Sequence, residues 1–336
     1  MVDNCVLVTG GAGYVGSHTC KTLAKAGFSP IVYDNLSTGN RWAVRWGPFE
    51  YGDILDSARL HHVVKRYRPS AVMHFAAAAL VGESVCEPGF YWRTNLAGTE
   101  HVTAMCRLYD IEHLVFSSTC AVYGTAATVP IDERAPTLPI NPYGHSKLAA
   151  ERLLADCAAA HGLRYVALRY FNAAGADPEG ELGEDRPVET HLIPLLLDSV
   201  LGVRPPLRVL GNDYPTPDGT AIRDYIHVAD LATAHVNALL YLRGGGQSLI
   251  ANLGTSEGYS VKAVIEAAIR VTNRPVPYVI GLRRPGDPAN LVADSTFARV
   301  VFKLLPPTLC GLDRIIETAW AWHAHYRPKS AQSLAE

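Results

Sequence analysis

Near its start, the chain has a short apolar run that leads directly into a loop rich in glycine. The run is Val6 to Thr9, and Gly10, Gly13 and Gly16 then give the pattern G-x-x-G-x-x-G before a helical segment begins. Glycines are needed in such a loop because the turn is tight, the backbone approaches a pyrophosphate closely, and the helix N-terminus aims free N–H groups at that anion. The strand, loop and helix together predict a dinucleotide-binding site.

Short runs rich in strand-forming residues alternate with longer segments of helical period through the first half of the chain. The runs are Cys5 to Thr9, Pro30 to Tyr33, Ala71 to Phe75, Leu114 to Ser117 and Arg164 to Leu168. Parallel strands need crossover connections and are covered on both faces. The alternation therefore predicts an α/β fold built on a Rossmann-type doubly wound parallel sheet.

A carboxylate follows the second of these runs. Asp34 lies 21 residues beyond Gly13 (34 minus 13), close to the ~20-residue spacing at which an acid takes the adenosine ribose hydroxyls. Because a carboxylate there repels a 2′-phosphate, NAD is favoured over NADP, although Arg41 and Arg45 leave a case for the phosphorylated form. Asp53, after another short strand, is a candidate for the adenine amine by similar logic.

The chain changes character after Phe171, where a loop rich in glycine and acidic residues begins. We expect residues 1–173 to form an NAD-binding Rossmann domain and residues 174–330 to form a smaller α/β substrate-binding domain. Segments near 225–240 and 249–254 also contain strand-like runs, and we expect both to return to the first sheet.

Composition excludes several kinds of partner. Hydrophobic residues make up 48% and charged residues 18% of the chain, so it can bury enough apolar surface to fold throughout. Thirty Lys and Arg against 32 Asp and Glu, without a like-charge block, give no electrostatic basis for binding nucleic acid or an anionic membrane. Seven cysteines without a C-x-x-C pair, and a first segment without an export signal, predict a cytoplasmic protein that has no metal site.

The candidate catalytic groups lie at the start of a later helical segment. Asn141 is a good N-cap and Pro142 suits the first helical position, so Tyr143 falls in the first turn, where the helix dipole favours a phenolate. Lys147 is four residues further on the same face, where its ammonium would lower the phenol pKa and hold a ribose. Thr119 follows a predicted strand and can bond the same substrate oxygen. We therefore expect Tyr143 to act as a general base.

These features resemble the extended short-chain dehydrogenase/reductase family and, within it, the 4-epimerases of UDP-sugars. The resemblance covers nearly the whole chain. Its motifs are Val8 to His18, His74 to Ala76, Val81 to Ser84, Tyr143 to Lys147, Arg169 to Asn172, Gly211 to Tyr214, Arg223 to Val228 and Arg284 to Asp287. The motifs of the second half are the specific ones, since a shared Rossmann loop implies only the superfamily.

The resemblance implies an NAD-dependent, redox-neutral inversion at C4 of a UDP-hexose through a 4-keto intermediate, carried out by a homodimer. Tyr143 would take the C4 hydroxyl proton, Lys147 would tune Tyr143 and hold the nicotinamide ribose, and Thr119 would bind the reacting oxygen. The further cofactor contacts that it implies are Tyr14, Val15, Asn35, Ile54, Phe75 and Tyr170. The implied contacts to the nucleotide sugar are Ser84, Asn172, His191, Leu192, Arg223, Arg284, Asp287 and Leu291.

Three positions bear on the substrate and on cofactor retention. Ala79 stands where many of these epimerases have a lysine, and His191 where some have an asparagine. By resemblance, Leu291 borders the hexose where a tyrosine restricts the pocket to plain hexoses. The resemblance therefore extends the expected substrates from UDP-glucose and UDP-galactose to their 2-acetamido counterparts.

Other functions stay open at this point. A 4,6-dehydratase would need acidic residues directly after Thr119, where this chain has Cys120 and Ala121. A non-catalytic NAD(H) sensor or scaffold would be expected to lose Tyr143, Lys147 or Thr119, and all three are present. A 4-epimerase of a UDP-pentose or a UDP-uronate is a further alternative within the family.

Overall fold

Seven parallel strands form the central sheet in a computed structural model that describes residues 4–284, 287–304, 309 and 311–326. In spatial order they are β10 (Leu249–Leu253), β6 (Arg164–Tyr170), β5 (His113–Ser117), β4 (Ala71–His74), β1 (Cys5–Thr9), β2 (Ser29–Asp34) and β3 (Phe49–Tyr51). Every neighbouring pair is parallel. The strand order reverses between β1 and β4, which is where a doubly wound sheet opens its ligand crevice. The predicted fold class is confirmed.

Helices cover both faces of this sheet and build much of the second half. Those in the described residues are α1 (Tyr14–Lys25), α2 (Ser57–Tyr67), α3 (Val81–Cys86), α4 (Pro88–Tyr91), α5 (Gly98–Leu108), α6 (Pro142–His161), α7 (Leu192–Val200), α8 (Val228–Arg243), α9 (Val261–Thr272), α10 (Thr296–Val301) and α11 (Leu312–Ala321). Wide π-type turns connect α4 to α5 over Trp92–Ala97 and continue α11 over Trp322–Tyr326. None of the described helices combines the length and apolar character needed to cross a bilayer.

Successive side chains of a strand point to opposite faces of the sheet, and apolar side chains on both faces explain why helices cover both sides. Val6 and Val8 of β1 belong to the buried cluster that includes α1 and α8. Leu7 between them belongs to the opposite cluster, with Leu60 of α2 and Leu154 of α6. Each such aliphatic side chain contributes roughly 1.5–3 kcal/mol when it is fully buried. The sheet is thus fixed from both faces and holds the loops at its edge in place.

A second, smaller set of strands lies beyond Phe171. These strands are β7 (Asn172–Ala174), β8 (Leu207–Leu210), β9 (Ile222–His227), β11 (Gly258–Ser260), β12 (Tyr278–Gly281) and β13 (Asn290–Leu291). β9 pairs with β7 and β13 in parallel and with β11 antiparallel, and β8 pairs with β12. Helices α7, α9 and α11 pack on these strands around their own buried cluster.

The strand predicted near Tyr225 does not return to the first sheet, which corrects that expectation. The chain leaves the large sheet after Tyr170 and forms β7 two residues later, and Asn172 of β7 pairs with Tyr225 of β9. β9 therefore finds its parallel partner outside the large sheet. The helix that follows it, α8, does pack against α1, and the segment at 249–253 joins the large sheet as β10 beside β6.

Candidate active site

The glycine loop lies at the end of β1, where the crevice opens. Gly10 has a φ of +72°, and a Cβ there would lie 2.5 Å from the backbone nitrogen of Ala76. A Cβ on Gly16 would lie 2.2 Å from the carbonyl oxygen of Gly10, so the helix can approach the loop only without a side chain. Gly13 caps α1 without a side-chain hydrogen bond, which leaves the helix N-terminus to an anion. The loop fits the pyrophosphate of a dinucleotide.

Asp34 ends β2 beside this loop and is held by backbone groups. Its two carboxylate oxygens accept from the backbone nitrogens of Ala12 at 3.0 Å and Leu36 at 2.8 Å. Burial raises the pKa of Asp34, and these two hydrogen bonds oppose that effect. Because a carboxylate offers about four acceptor positions, Asp34 can still accept from ribose hydroxyls.

The other predicted adenosine contacts lie next to Asp34. Asn35 donates to Asp53 at 2.9 Å, and Ile54 is buried beneath Gly98. The two arginines that left a case for NADP have partners elsewhere. Arg41 lies over the ring of Phe49, and Arg45 pairs with Glu181 at 2.9 Å. The region therefore suits an unphosphorylated ribose better than a 2′-phosphate.

The ends of β4 and β6 bring aromatic rings together beyond the loop. Phe75 and Tyr170 both lie against His235, with ring centroids 4.8 Å and 6.1 Å apart. The hydroxyl of Tyr170 hydrogen-bonds Ser117 at 2.9 Å. The resemblance implied that Phe75 and Tyr170 contact the cofactor, and here they lie on neighbouring parts of one surface.

Helix α6 begins as the residue pattern predicted. The Asn141 side chain accepts from the Gly144 backbone nitrogen at 2.9 Å, with Pro142 in the first turn. Tyr143 consequently faces a cavity of about 770 Å³ together with Thr119, and the Thr119 hydroxyl is close enough to lower the pKa of Tyr143. The two groups expected to share one substrate oxygen are therefore adjacent.

The electrostatics of this pair differ from the prediction. Burial raises the pKa of Tyr143 well above its usual value, and the nearby Thr119 hydroxyl only partly opposes this. Lys147 is itself buried, and burial lowers its pKa to about 7. Its ammonium lies 4.1 Å from the centre of the Phe116 ring. In the protein alone, the loss of hydration therefore outweighs the expected lowering of the phenol pKa by Lys147.

Most of the predicted contacts to the nucleotide sugar line the same cavity. They are Asn172, His191, Leu192, Arg223, Arg284, Asp287 and Leu291. Arg223 is ion-paired with Asp287, and Arg284 is exposed beside them. Pro285 and Gly286, which lie between Arg284 and Asp287 in sequence, are outside the described residues. Leu291 packs in a buried cluster with Cys120 and Phe171.

Ser84 does not fit its implied role. Its side chain is fully buried, and its hydroxyl donates to the Val81 carbonyl oxygen at 2.7 Å, one turn back in α3. Ser84 is not part of the cavity wall, whereas Val81 and Glu83 are. The hydroxyl is satisfied within its own helix, so the structure supports a structural role for Ser84.

Sequence reasoning also missed charged residues in this cavity. Arg186 and Glu184 line it beside the expected contact His191, and Glu189 lies 2.9 Å from His191. Although burial opposes the charged imidazole, Glu184 and Glu189 raise the pKa of His191 to about 9. The alternation of acidic and basic residues from 184 to 191 is the sequence signal that could have identified the group.

The fold and these side chains define a dinucleotide-dependent enzyme of the short-chain dehydrogenase/reductase type, with a tyrosine and a lysine beside the cofactor loop. More specifically, the chain belongs to the NAD dependent epimerase/dehydratase family, whose model matches residues 6–254.

Individual relatives of this chain within the family are UDP-glucose 4-epimerases. The chain is 50% identical over 324 residues to a UDP-glucose 4-epimerase of Rhizobium leguminosarum bv. trifolii, covering 96% of this chain and 98% of that protein. It is 53% identical to UDP-glucose 4-epimerase from Brucella ovis in complex with NAD, with a TM-score of 0.92 over 94% and 97% of the two chains. A Bifidobacterium longum UDP-glucose 4-epimerase in complex with NAD⁺ and UDP is 36% identical, with a TM-score of 0.90 over 95% and 98%.

Proposed function

We propose that this protein is an NAD-dependent 4-epimerase that interconverts UDP-glucose and UDP-galactose. The observation that carries the proposal is that one cavity is lined both by Tyr143 and Thr119 and by Arg223 and Asp287. A proton-transfer group and a polar nucleotide end are the two parts that such a reaction needs. The similarity to UDP-glucose 4-epimerases over nearly the full chain supports the same activity.

The residues present divide the work as follows. When bound, NAD supplies the chemistry of accepting and returning the hydride at C4 of the sugar. The Tyr143 hydroxyl oxygen takes the proton of the C4 hydroxyl and later gives it back. Thr119, which lines the cavity with Tyr143, orients that sugar oxygen. The guanidinium of Arg223 suits a diphosphate, and Asp287 offers acceptors to ribose hydroxyls. The positive charge of oxidised nicotinamide would offset the effect of burial on Tyr143.

A dehydratase reaction has less support. That reaction needs an acid and a base beside the reacting carbon atoms C5 and C6. Burial raises the pKa of the Cys120 thiol to about 12, so it stays protonated at neutral pH and cannot act as the base, and Ala121 has no ionisable group.

A non-catalytic sensor would have no need for Tyr143 and Thr119 to be assembled in one cavity. Nothing in the described residues favours a UDP-pentose or a UDP-uronate.

We also propose that 2-acetamido sugars are accepted. Leu291 lies in the cavity wall within a cluster of apolar side chains. A leucine there leaves space that a tyrosine ring would fill, and steric exclusion is a strong discriminator for an apolar wall. This proposal concerns substrate range and does not alter the chemistry at C4.

We also propose a division of the chain into two domains, a cofactor domain over residues 1–173, joined by β10, and a substrate domain over residues 174–330. Within these ranges, residues 1–3, 285–286, 305–308, 310 and 327–330 lie outside the described part. A homodimer would cover the exposed side chains of Trp92 and Leu108 and the exposed alanines of α6. The six free cysteines in the described residues suit a cytoplasmic location.

The experiment is direct. Purified protein is incubated with UDP-galactose without added NAD, and the two epimers are separated by chromatography. We expect conversion to UDP-glucose, with Tyr143→Phe slower by about 10²- to 10⁴-fold, as is typical of a lost general base. Tyr241→Phe, which removes a hydroxyl that accepts from the Gln247 backbone, is the matched control and should keep full activity. The absence of any conversion would reject the proposal.

A further inference from the structure

A charged cluster that the proposed mechanism does not use lines the active-site cavity. Nε of Arg186 donates to Oε1 of Glu184 at 2.9 Å, and Nδ1 of His191 lies 3.1 Å from the same oxygen. One edge of the Arg186 guanidinium is therefore fixed. Within the described residues, its two terminal nitrogens have no protein hydrogen-bond partner, and Arg186 is part of the cavity wall with Tyr143 and Tyr170.

The segment that carries this arginine is firmly anchored. We call residues Gly175 to His191 the strap. Lys21 of α1 lies 2.7 Å from carboxylate oxygens of three of its acidic residues, and the Tyr14 hydroxyl donates to its Gly175 carbonyl oxygen at 2.6 Å. Further along, Asn40 donates to the Asp185 carbonyl at 2.7 Å, and Trp322 Nε1 donates to that of Glu184 at 3.1 Å. The arginine is thus held in place before any ligand arrives, as electrostatic preorganisation requires.

The surroundings of Tyr143 show what this charge can act on. The groups around it are Tyr91 of α4, Thr119 and Cys120 after β5, Lys147 of its own helix, Tyr170 of β6 and Arg186 of the strap. The other charged residues that line the cavity are Glu83, Glu184, His191, Arg223, Arg284 and Asp287. Burial lowers the pKa of Lys147 to about 7, whereas Arg186 keeps its charge at neutral pH, and that charge lowers the pKa of Tyr143. Arg186 is thus a permanent positive charge that acts on the phenolate.

We propose that Arg186 is a positioning residue for the epimerase reaction, whose guanidinium, held by Glu184 and the strap, stabilises the Tyr143 phenolate through space. The inference rests on the proposed function and names a residue that the mechanism lacked. Burial raises the pKa of Tyr143 and of Tyr170, and the Arg186 charge lowers both. Only 21% of the Arg186 side-chain surface is exposed, so the charge is less screened than at the surface.

The test separates the effect of the positive charge at position 186 from the effect of replacing the arginine side chain. Arg186→Gln keeps a donor for Glu184 and removes the charge, whereas Arg186→Lys keeps the charge. Arg270→Gln is the matched control, because Arg270 forms an exposed ion pair with Asp313 at 2.7 Å. The pH dependence of kcat and the KM for UDP-galactose are measured on the NAD-bound proteins. Ultraviolet difference titration, with Tyr143→Phe as the blank, reads tyrosinate formation without turnover.

We expect Arg186→Gln to move the acid limb of kcat about one pH unit upward and to lower kcat near neutral pH about tenfold, since one pKa unit is a factor of ten. Arg186→Lys should restore most of this, Arg270→Gln should change nothing, and KM should hold within about twofold. An unshifted acid limb and tyrosinate titration would overturn the inference, as would a rise in KM alone. If the unmutated protein shows no conversion, the proposed function fails, while the titration still tests Arg186.

Discussion

Burial opposes ionisation of both Tyr143 and Lys147. Removing a phenol and an ammonium from water disfavours the phenolate and the charged amine alike, and the pKa values of Tyr143 and Lys147 shift accordingly. The cavity can still support a base because the Thr119 hydroxyl and the Arg186 charge both lower the pKa of Tyr143, and a bound nicotinamide would add another positive charge. The spacing of four residues in sequence identified Tyr143 and Lys147 as a pair. It could not show how burial and nearby charges set their pKa values, because those depend on side chains from other elements.

The His191 cluster gives a pH dependence of stability whose sign can be worked out. Glu184 and Glu189 raise the folded-state pKa of His191 from 6.5 to about 9. Its stabilising contribution is therefore complete below the unfolded value of 6.5 and is lost as the pH rises through about 9. We expect the melting temperature of the unmutated protein to fall more between about pH 6 and pH 10 than that of His191→Gln. Equal falls in thermal melts would contradict the raised pKa.

Leu291 carries the prediction on substrate range. Leu291→Tyr should suppress turnover of UDP-N-acetylglucosamine and its galacto epimer while turnover of UDP-glucose and UDP-galactose continues, because the ring fills space that only the acetamido group needs. The two sugar classes are compared by kcat/KM. Equal loss on both would show that Leu291 acts through stability, and no acetamido turnover in the unmutated protein would mean that another wall closes the pocket.

The start of α6 links local sequence to the catalytic geometry. Asn141→Ala removes the hydrogen bond to the Gly144 nitrogen, which should cost about 0.5–2 kcal/mol of unfolding free energy. It should also slow turnover, since Tyr143 lies in the turn that Asn141 holds. Ser260→Ala, which removes the side-chain cap of α9 at Ala263, is the matched control and should lose stability without losing activity. Urea unfolding and turnover assays separate the two effects, and full activity in Asn141→Ala would contradict the link.

The elements that could be predicted are those whose signal is local. The strands of the large sheet follow from short apolar runs, and the first turn of α6 follows from Asn141 and Pro142, because pattern and cap lie within a few residues. The pairing of β9 with β7 could not be predicted, since it depends on where the chain leaves the large sheet after Tyr170. Similarly, the resemblance implied a substrate contact for Ser84, whereas its hydroxyl donates to the Val81 carbonyl oxygen within its own helix.

The strap links helix α1, which follows the glycine loop, to the cavity that we propose for the substrate. Lys21 and Tyr14 hold one end of it, and Arg186 and His191 of the other end line the cavity. No short motif records this connection, because its contacts are more than 130 residues apart in sequence. The strap therefore connects the proposed cofactor site to the proposed substrate site.

A cofactor that is reduced and reoxidised within one turnover need not leave, so we expect NAD to co-purify with the protein. We expect Asp34 to favour NAD over NADP, since Arg41 and Arg45 have other partners. Mass analysis of the supernatant after denaturation should find NAD, with Asp34→Ala retaining less of it. Finding only NADP, or a strict need for added cofactor, would count against retention of NAD. Weaker retention would be traced to Ala79, because the resemblance implies a lysine at this position in many of these epimerases.

The central claim is that the hydrogen at C4 leaves and returns to the same carbon within one binding event. UDP-galactose labelled with deuterium at C4 tests it, with the protein in ordinary water and the product examined by mass spectrometry and NMR. The account predicts UDP-glucose that keeps the deuterium at C4, because the hydride is returned from bound cofactor and only the hydroxyl proton passes through Tyr143. Loss of the label to solvent, or accumulation of a keto sugar with released reduced cofactor, would contradict it.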